Sequence, residues 1–138
     1  MSGPALKNAD SHAAIHEAAL NEAIELTEML EKLADDSQQE KAMELAYVLV
    51  EQWETRTLAH AESEEEGLYK DLVDENPDVK DDIVALTRDH DLLRLLMAEI
   101  KQLLPEYGVT NDVVQRFHSM IIVDQLHNQK ELDVLPKH

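Results

Sequence analysis

This chain of 138 residues contains no cysteine, and that absence excludes several kinds of site. Disulfides, thiolate zinc sites, iron–sulfur clusters and cysteine nucleophiles all need a thiol that the chain does not possess. Only three glycines and four prolines interrupt the chain, and alanine, leucine, glutamate and aspartate are abundant. This composition favours an all-α protein. Any metal site must therefore be built from nitrogen and oxygen donors on helices.

Positive charge is also scarce, with 12 lysine and arginine residues against 30 aspartates and glutamates and a net charge of −18. Such a chain repels nucleic acid and anionic lipid, so we expect neither as a partner. No apolar run approaches the length of about 18 residues that a membrane span needs. The N-terminal sequence MSGPALKNAD lacks the apolar segment of a signal peptide. We therefore expect a soluble, cytoplasmic protein.

Apolar side chains recur at steps of three and four residues through four segments, which predicts four amphipathic helices. Residues 1–9 are expected to be a loose lead-in, and Asp10 or Ser11 is the expected cap of a first helix that runs to about Ala34. The connections between the four segments are short. Residues 1–138 are therefore predicted to form one domain, an up-down-up-down four-helix bundle.

The boundaries of the other three helices are predicted from turn and cap residues. Ser37 and Glu40 have the spacing of a capping box and are expected to open the second helix. Asn76 and Pro77 suit the cap and first position of the third helix, and Asn111 is expected to cap the fourth.

The residues that carry chemistry are histidines and glutamates on the inner faces of these helices. Glu64 follows His60 by four residues and Glu131 follows His127 by four, so each pair lies on one helical face. His90 lies on the inner stripe of the third helix. The three histidines are similarly far from the turns that join their helices, which places them at one level of the bundle.

The first helix offers two histidines on or beside its apolar stripe. Distance from the turn slightly favours His12 over His16, but loop length makes that estimate good only to about one helical turn. Either residue can complete a ring of four histidines, one from each helix.

These donors suit metal ions. Imidazole and carboxylate groups without thiolates are typical ligands of iron, manganese or zinc. Four histidines and two glutamates exceed the needs of one tetrahedral zinc and suit two ions, with Glu64 and Glu131 bridging and two histidines on each ion. Without metal, the two buried carboxylates are expected to repel each other, and that repulsion should ease at lower pH.

The chain resembles the hemerythrin-like, or HHE cation-binding, family from about Ser11 to His138. The matching segments are HAAIHEAAL, HAESEEEGLY, DHDLLRLLMAEI and HNQKELDVLP, each on its own predicted helix. The chain looks closest to bacterial di-iron proteins linked to repair of iron centres under nitrosative stress. In that branch the first-helix histidine is followed by a run similar to HEAALNEAIEL, which favours His16 over His12.

This resemblance implies a non-haem centre of two iron ions with an oxo or hydroxo bridge. The expected function is reaction with, or response to, oxygen, nitric oxide or peroxide, in iron handling or stress response. The alternatives are a sensing module without catalytic turnover, which would act through a partner protein, and a metal-free acidic bundle that serves as an interaction surface. The ligands implied are His16, His60, Glu64, His90, His127 and Glu131, with His12 as an alternative or additional ligand.

Two departures from the oxygen-carrying members of the family bear on function. The carriers have a second histidine four residues after the first in the third helix, and this chain has Arg94 there. They have an aspartate five residues after the fourth-helix histidine, where this chain has Leu132. With two histidines expected on each ion, we predict that the protein does not carry oxygen reversibly.

Four other residues are not expected to bind metal. Glu65 has the outward phase and is expected to face solvent, as is His118. Trp53 is expected to pack in the core. Asp124 lies one turn before the fourth-helix histidine and suits either a hydrogen bond to a ligand or the surface.

Overall fold

The computed structural model describes residues 9–135. Of the predicted lead-in, residues 1–9, only Ala9 lies within the described part. The helix α1 already includes Asp10 and Ser11, so neither is its cap. The elements are α1 (Ala9–Asp35), α2 (Gln39–Gln52), a π-helical segment (Trp53–Leu58), α3 (Ala59–Glu66), α4 (Leu68–Glu75), a 3-10 turn (Pro77–Val79), α5 (Lys80–Tyr107) and α6 (Asn111–Val134).

The predicted all-α four-helix bundle is confirmed. The elements α2 to α4 and the π-helical segment follow one another directly and form the second of its four helices. The helix α6 packs against both α1 and α5, and α1 packs against α2. No helix within residues 9–135 is long and apolar enough to cross a membrane.

Two hydrophobic clusters fill the interior, and the candidate site residues lie between them. On α5, Leu86 belongs to the smaller cluster and Leu93 to the larger one, with His90 between them. On α6, Ile121 belongs to the larger cluster and Leu135, which follows the helix, to the smaller one. The polar residues therefore occupy a layer of the core with apolar side chains on both sides.

The turn after α1 differs from the prediction. Ser37 has a φ of 58°, and its N–H donates to the carbonyl of Ala34, while the N–H of Gln38 donates to that of Leu33. This pair of bonds is the Schellman arrangement that ends a helix. Ser37 therefore closes α1 and cannot take the extended conformation of an N-cap, so the predicted capping box is wrong. The helix α2 begins at Gln39 without a side-chain cap.

The other two predicted caps are close to those observed. The Asn76 side chain accepts a hydrogen bond from the N–H of Asp78, so it caps the 3-10 turn that leads into α5. The cap of α6 is Thr110, whose hydroxyl oxygen accepts from the N–H of Val113. The predicted cap, Asn111, is instead the first residue of that helix.

The π-helical segment before the site was not predicted. The N–H of Ala59 donates to the carbonyl of Glu54, five residues earlier. A turn of this kind holds more residues than an α-helical turn and therefore rotates everything that follows about the helix axis. As a result Glu64 is buried, while His60, one turn earlier, is half-buried at the edge of the inner face.

Candidate metal centre

Three imidazoles converge on one side of the site. The Nε2 atoms of His12 and His16, on α1, lie 2.5 and 3.4 Å from Glu64 Oε2. The Nε2 atom of His60, on α3, lies 3.9 Å from the same oxygen. Glu131 Oε1 lies 2.6 Å from His12 Nε2 and 3.4 Å from His16 Nε2. We call His12, His16 and His60 the three-histidine side.

Two imidazoles face the opposite side. His90 on α5 and His127 on α6 have their Nε2 atoms 3.1 Å apart. Glu64 Oε1 is 3.5 Å from His90 Nε2, and Glu131 Oε2 is 3.3 Å from His127 Nε2. We call His90 and His127 the two-histidine side. Each glutamate thus directs one oxygen to each side, as a carboxylate does when it bridges two cations.

The donor atoms converge more closely than hydrogen bonds can account for. The Nε2 atoms of His12 and His16 are 3.0 Å apart, and two facing nitrogens can share only one hydrogen. Glu64 Oε1 and His60 Nε2 are buried with no hydrogen-bond partner within residues 9–135. Unpartnered buried polar atoms are costly, and converging lone pairs are satisfied by a cation. The residues therefore fit a pair of metal ions.

The structure brings together all six ligands implied by the sequence and adds His12. Because His12 and His16 lie four residues apart on one helix, both face the centre, and each is at least nine-tenths buried. Both positions considered for the first-helix ligand therefore face the centre. The imidazoles group as three against two and not as two and two, so the geometry does not support the equal division on which the prediction about oxygen carriage rested; that prediction stays a prediction.

Carboxylates lie behind both imidazoles of the two-histidine side. His90 Nδ1 donates to Glu65 Oε2 over 2.7 Å, and His127 Nδ1 donates to Asp89 Oδ2 over 3.1 Å. A proton held on Nδ1 leaves the lone pair on Nε2 directed at the centre. The expectation that Glu65 faces solvent is wrong, because its side chain reaches from α3 to α5 and is only 25% exposed.

Tyr69 is a further polar residue of the site, which the sequence analysis does not single out. Its hydroxyl donates to Glu131 Oε2 over 2.5 Å and lies 3.5 Å from His127 Nε2. Burial raises the pKa of Tyr69, and the charges of Glu64 and Glu131 raise it further. Without metal the hydroxyl therefore keeps its proton. No sequence pattern marks this residue, because its hydroxyl meets Glu131 only across two helices.

In the metal-free centre, protonated histidines neutralise the glutamates. Burial alone would lower the pKa of His12, but hydrogen bonds to Glu131 and Glu64 raise it to about 10. Burial alone would also lower the pKa of His127, but its hydrogen bond to Glu131 raises that pKa to about 9. Although burial raises the pKa of both glutamates, their histidine partners lower it overall. The charge of Glu131 still raises the pKa of Glu64, as the expected repulsion requires, but the bonds to histidine outweigh it.

Three other assignments can be compared with the structure. Asp124 is 1% exposed, so its surface alternative is excluded, and burial raises its pKa to about 6. Trp53 is fully buried in the larger hydrophobic cluster, as expected. The side chain of His118 is 41% exposed with its Nε2 3.3 Å from Glu31 Oε1, which confirms its surface position.

A cavity of about 280 Å³ lies between α1 and α6, directly beside the centre. His12, His16 and Glu131 form part of its wall. The remaining lining residues are Ala13, Glu17, Leu20, Gln125, Asn128, Gln129, Leu132 and Leu135. Small molecules can therefore reach the three-histidine side from this cavity.

The chain was compared with known protein families, curated proteins and solved structures. The family model of the hemerythrin HHE cation-binding domain matches residues 9–135, the whole described part of the chain. No curated protein and no solved structure matches the chain.

Proposed function

Since this chain belongs to the hemerythrin HHE cation-binding domain family, we propose that its centre holds two iron ions and reacts with, or responds to, oxygen, nitric oxide or peroxide. The observation that best supports two ions is the orientation of Glu64 and Glu131, each with one oxygen on the three-histidine side and one on the two-histidine side. Bound iron would supply one-electron chemistry that the side chains lack.

The protein's own residues would hold the ions in a fixed arrangement. The three-histidine side offers three imidazoles to one ion and the two-histidine side offers two to the other, with both glutamates shared. Glu65 and Asp89 keep the Nε2 lone pairs of His90 and His127 directed at the centre. The hydrophobic clusters on both sides of this layer offer no polar partners, so donors that are unpaired without metal have a cation as their natural partner.

The cavity supports a small reactant. A cavity of about 280 Å³ is ample for a molecule of two or three atoms such as the proposed reactants. Its polar wall residues, besides those of the centre, are Glu17 and the amides Gln125, Asn128 and Gln129, and none of the lining residues within the described part of the chain is a lysine or arginine. Apart from the centre itself, these residues offer no positive charge to an organic anion and suit a small neutral molecule.

Reconstitution tests this function. Metal-free protein would be loaded with ferrous iron without oxygen, its iron counted, and the loaded protein exposed separately to oxygen, nitric oxide and hydrogen peroxide. We expect about two irons per chain and a spectral change with at least one reactant. An iron content near zero would refute the proposal. A single stoichiometric reaction without turnover would support the sensing alternative.

The matched control is Glu66→Ala. Glu66 lies next to the site in sequence but is exposed, so this variant should bind iron as the parent chain does. Loss of iron in this variant would show that the assay reports damage to the fold and not loss of ligands.

A further inference from the structure

The structure assigns one more donor to the centre: we propose that Tyr69 binds the ion on the two-histidine side through its phenolic oxygen. This inference rests on the proposed function, because it requires a cation in the cluster. No pattern in the sequence marks Tyr69 as a ligand.

Distances among the donor atoms support the assignment. Tyr69 Oη lies 3.5 Å from His127 Nε2, and that nitrogen lies 3.3 Å from Glu131 Oε2 and 3.1 Å from His90 Nε2. Donors bound at about 2.1 Å to a common ion are about 3.0 Å apart at right angles and about 3.4 Å apart at the tetrahedral angle. The hydroxyl is therefore spaced from its neighbour as a ligand of the same ion would be.

The orientation of Tyr69 also fits a ligand. Its ring is parallel to the imidazole of His90, with an interplanar angle of 3° and centroids 5.7 Å apart. The Tyr69 hydroxyl and His90 Nε2 both lie within 3.5 Å of His127 Nε2, so the polar ends of the two rings approach the same atom. Tyr69 is 2% exposed, so bulk water does not compete for its hydroxyl. In the metal-free protein that hydroxyl has a carboxylate oxygen of the bridge, Glu131 Oε2, as its acceptor.

A phenolic ligand would make the two ions chemically different. One ion would have three imidazoles, and the other would have two imidazoles and a phenolate, whose negative charge favours the ferric state. When the ion binds, the O–H bond of Tyr69 breaks, an oxygen–metal bond forms, and the proton leaves to solvent. The hydrogen bond to Glu131 is then lost, and both of its oxygens are free to bind metal.

The visible spectrum of the full chain loaded with iron and then oxidised tests this assignment. A phenolate bound to ferric iron gives a charge-transfer band in the visible range. We expect that band in the parent chain and its complete loss in Tyr69→Phe. The matched controls are Tyr47→Phe and Tyr107→Phe, because these tyrosines are 46% and 65% exposed, and both variants should keep the band.

A second measurement needs no variant. Zinc has no redox chemistry and no visible spectrum, so an ultraviolet difference spectrum of the parent chain with and without zinc should show one tyrosine converted to tyrosinate. Chains that bind two irons without the band, or a band unchanged in Tyr69→Phe, would overturn the assignment while leaving the proposed function intact. Chains that bind no iron would overturn the proposed function itself.

Discussion

Arg94 and Glu65, on neighbouring helices, share a hydrogen bond in which the Arg94 Nη2 atom donates to Glu65 Oε2 over 2.7 Å. The same oxygen accepts from His90 Nδ1 over 2.7 Å. Arg94 stands one turn after His90, where oxygen-carrying members of the family have a second histidine. In this chain the position therefore supports an existing imidazole from behind and supplies no ligand of its own.

The carboxylates behind the two-histidine side should control metal affinity. Glu65→Gln and Asp89→Asn each remove the charge that holds an Nδ1 proton, and outer partners of this kind typically contribute about 10–100-fold in affinity. We expect a loss of that size for zinc, with the number of ions bound at saturation unchanged. Competition with a chelator measures it, and Glu66→Gln is the control. An affinity equal to that of the control would show that these carboxylates are not involved.

The two central glutamates should be necessary for binding both ions. Glu64→Ala and Glu131→Ala each remove one oxygen from both sides of the centre, so each variant should lose at least one of the two ions. Metal analysis after reconstitution and gel filtration measures the content. Exposed Glu66→Ala should retain both ions. If all three variants retain the same metal content, the carboxylates of Glu64 and Glu131 do not bridge two ions.

His12 and His16 should both contribute to one ion and neither to the other. Each of His12→Ala and His16→Ala leaves two imidazoles on the three-histidine side and leaves His90 and His127 untouched. We expect each variant to weaken the binding of one ion and to keep the other at its original affinity. Titration with zinc resolves the two steps. Unchanged binding in His12→Ala would remove that residue from the ligand set.

The stability of the metal-free protein should depend on pH through the histidine–glutamate pairs. Despite burial, bonds to glutamate raise the pKa of His12 from 6.5 to about 10, so its contribution is complete below pH 6.5 and is lost as the pH rises towards 10. Despite burial, bonds to His12 and His127 lower the pKa of Glu131 from 4.5, so its contribution is complete above pH 4.5 and is lost on acidification.

The Tm of the metal-free protein should therefore be highest between about pH 4.5 and pH 6.5 and should fall on both sides. Thermal unfolding in the presence of a chelator, followed by circular dichroism, measures this profile. His12→Gln should flatten the alkaline side, whereas the exposed control His118→Gln should leave the profile unchanged. A Tm that rises steadily from neutral to alkaline pH would contradict the pairing.

The sequence by itself determined the four helices and most of the inward-facing donors. The period of its apolar residues is a property of each helix alone, and it places Glu64, His90, His127 and Glu131 in the buried layer where the structure has them. The small number of glycines and prolines indicates the all-α fold class, and the absence of cysteine limits the donors to nitrogen and oxygen atoms. Both conclusions follow from composition and need no contact between helices.

Only the tertiary structure decided which residues meet across helices. The bonds from Glu65 to His90, Asp89 to His127 and Tyr69 to Glu131 each join two helices. The phase of a side chain on its own helix does not report a partner on another helix. Helix spacing, the π-helical turn before the site and the reach of long side chains set these contacts. They are decided by packing and lie beyond what periodicity can determine.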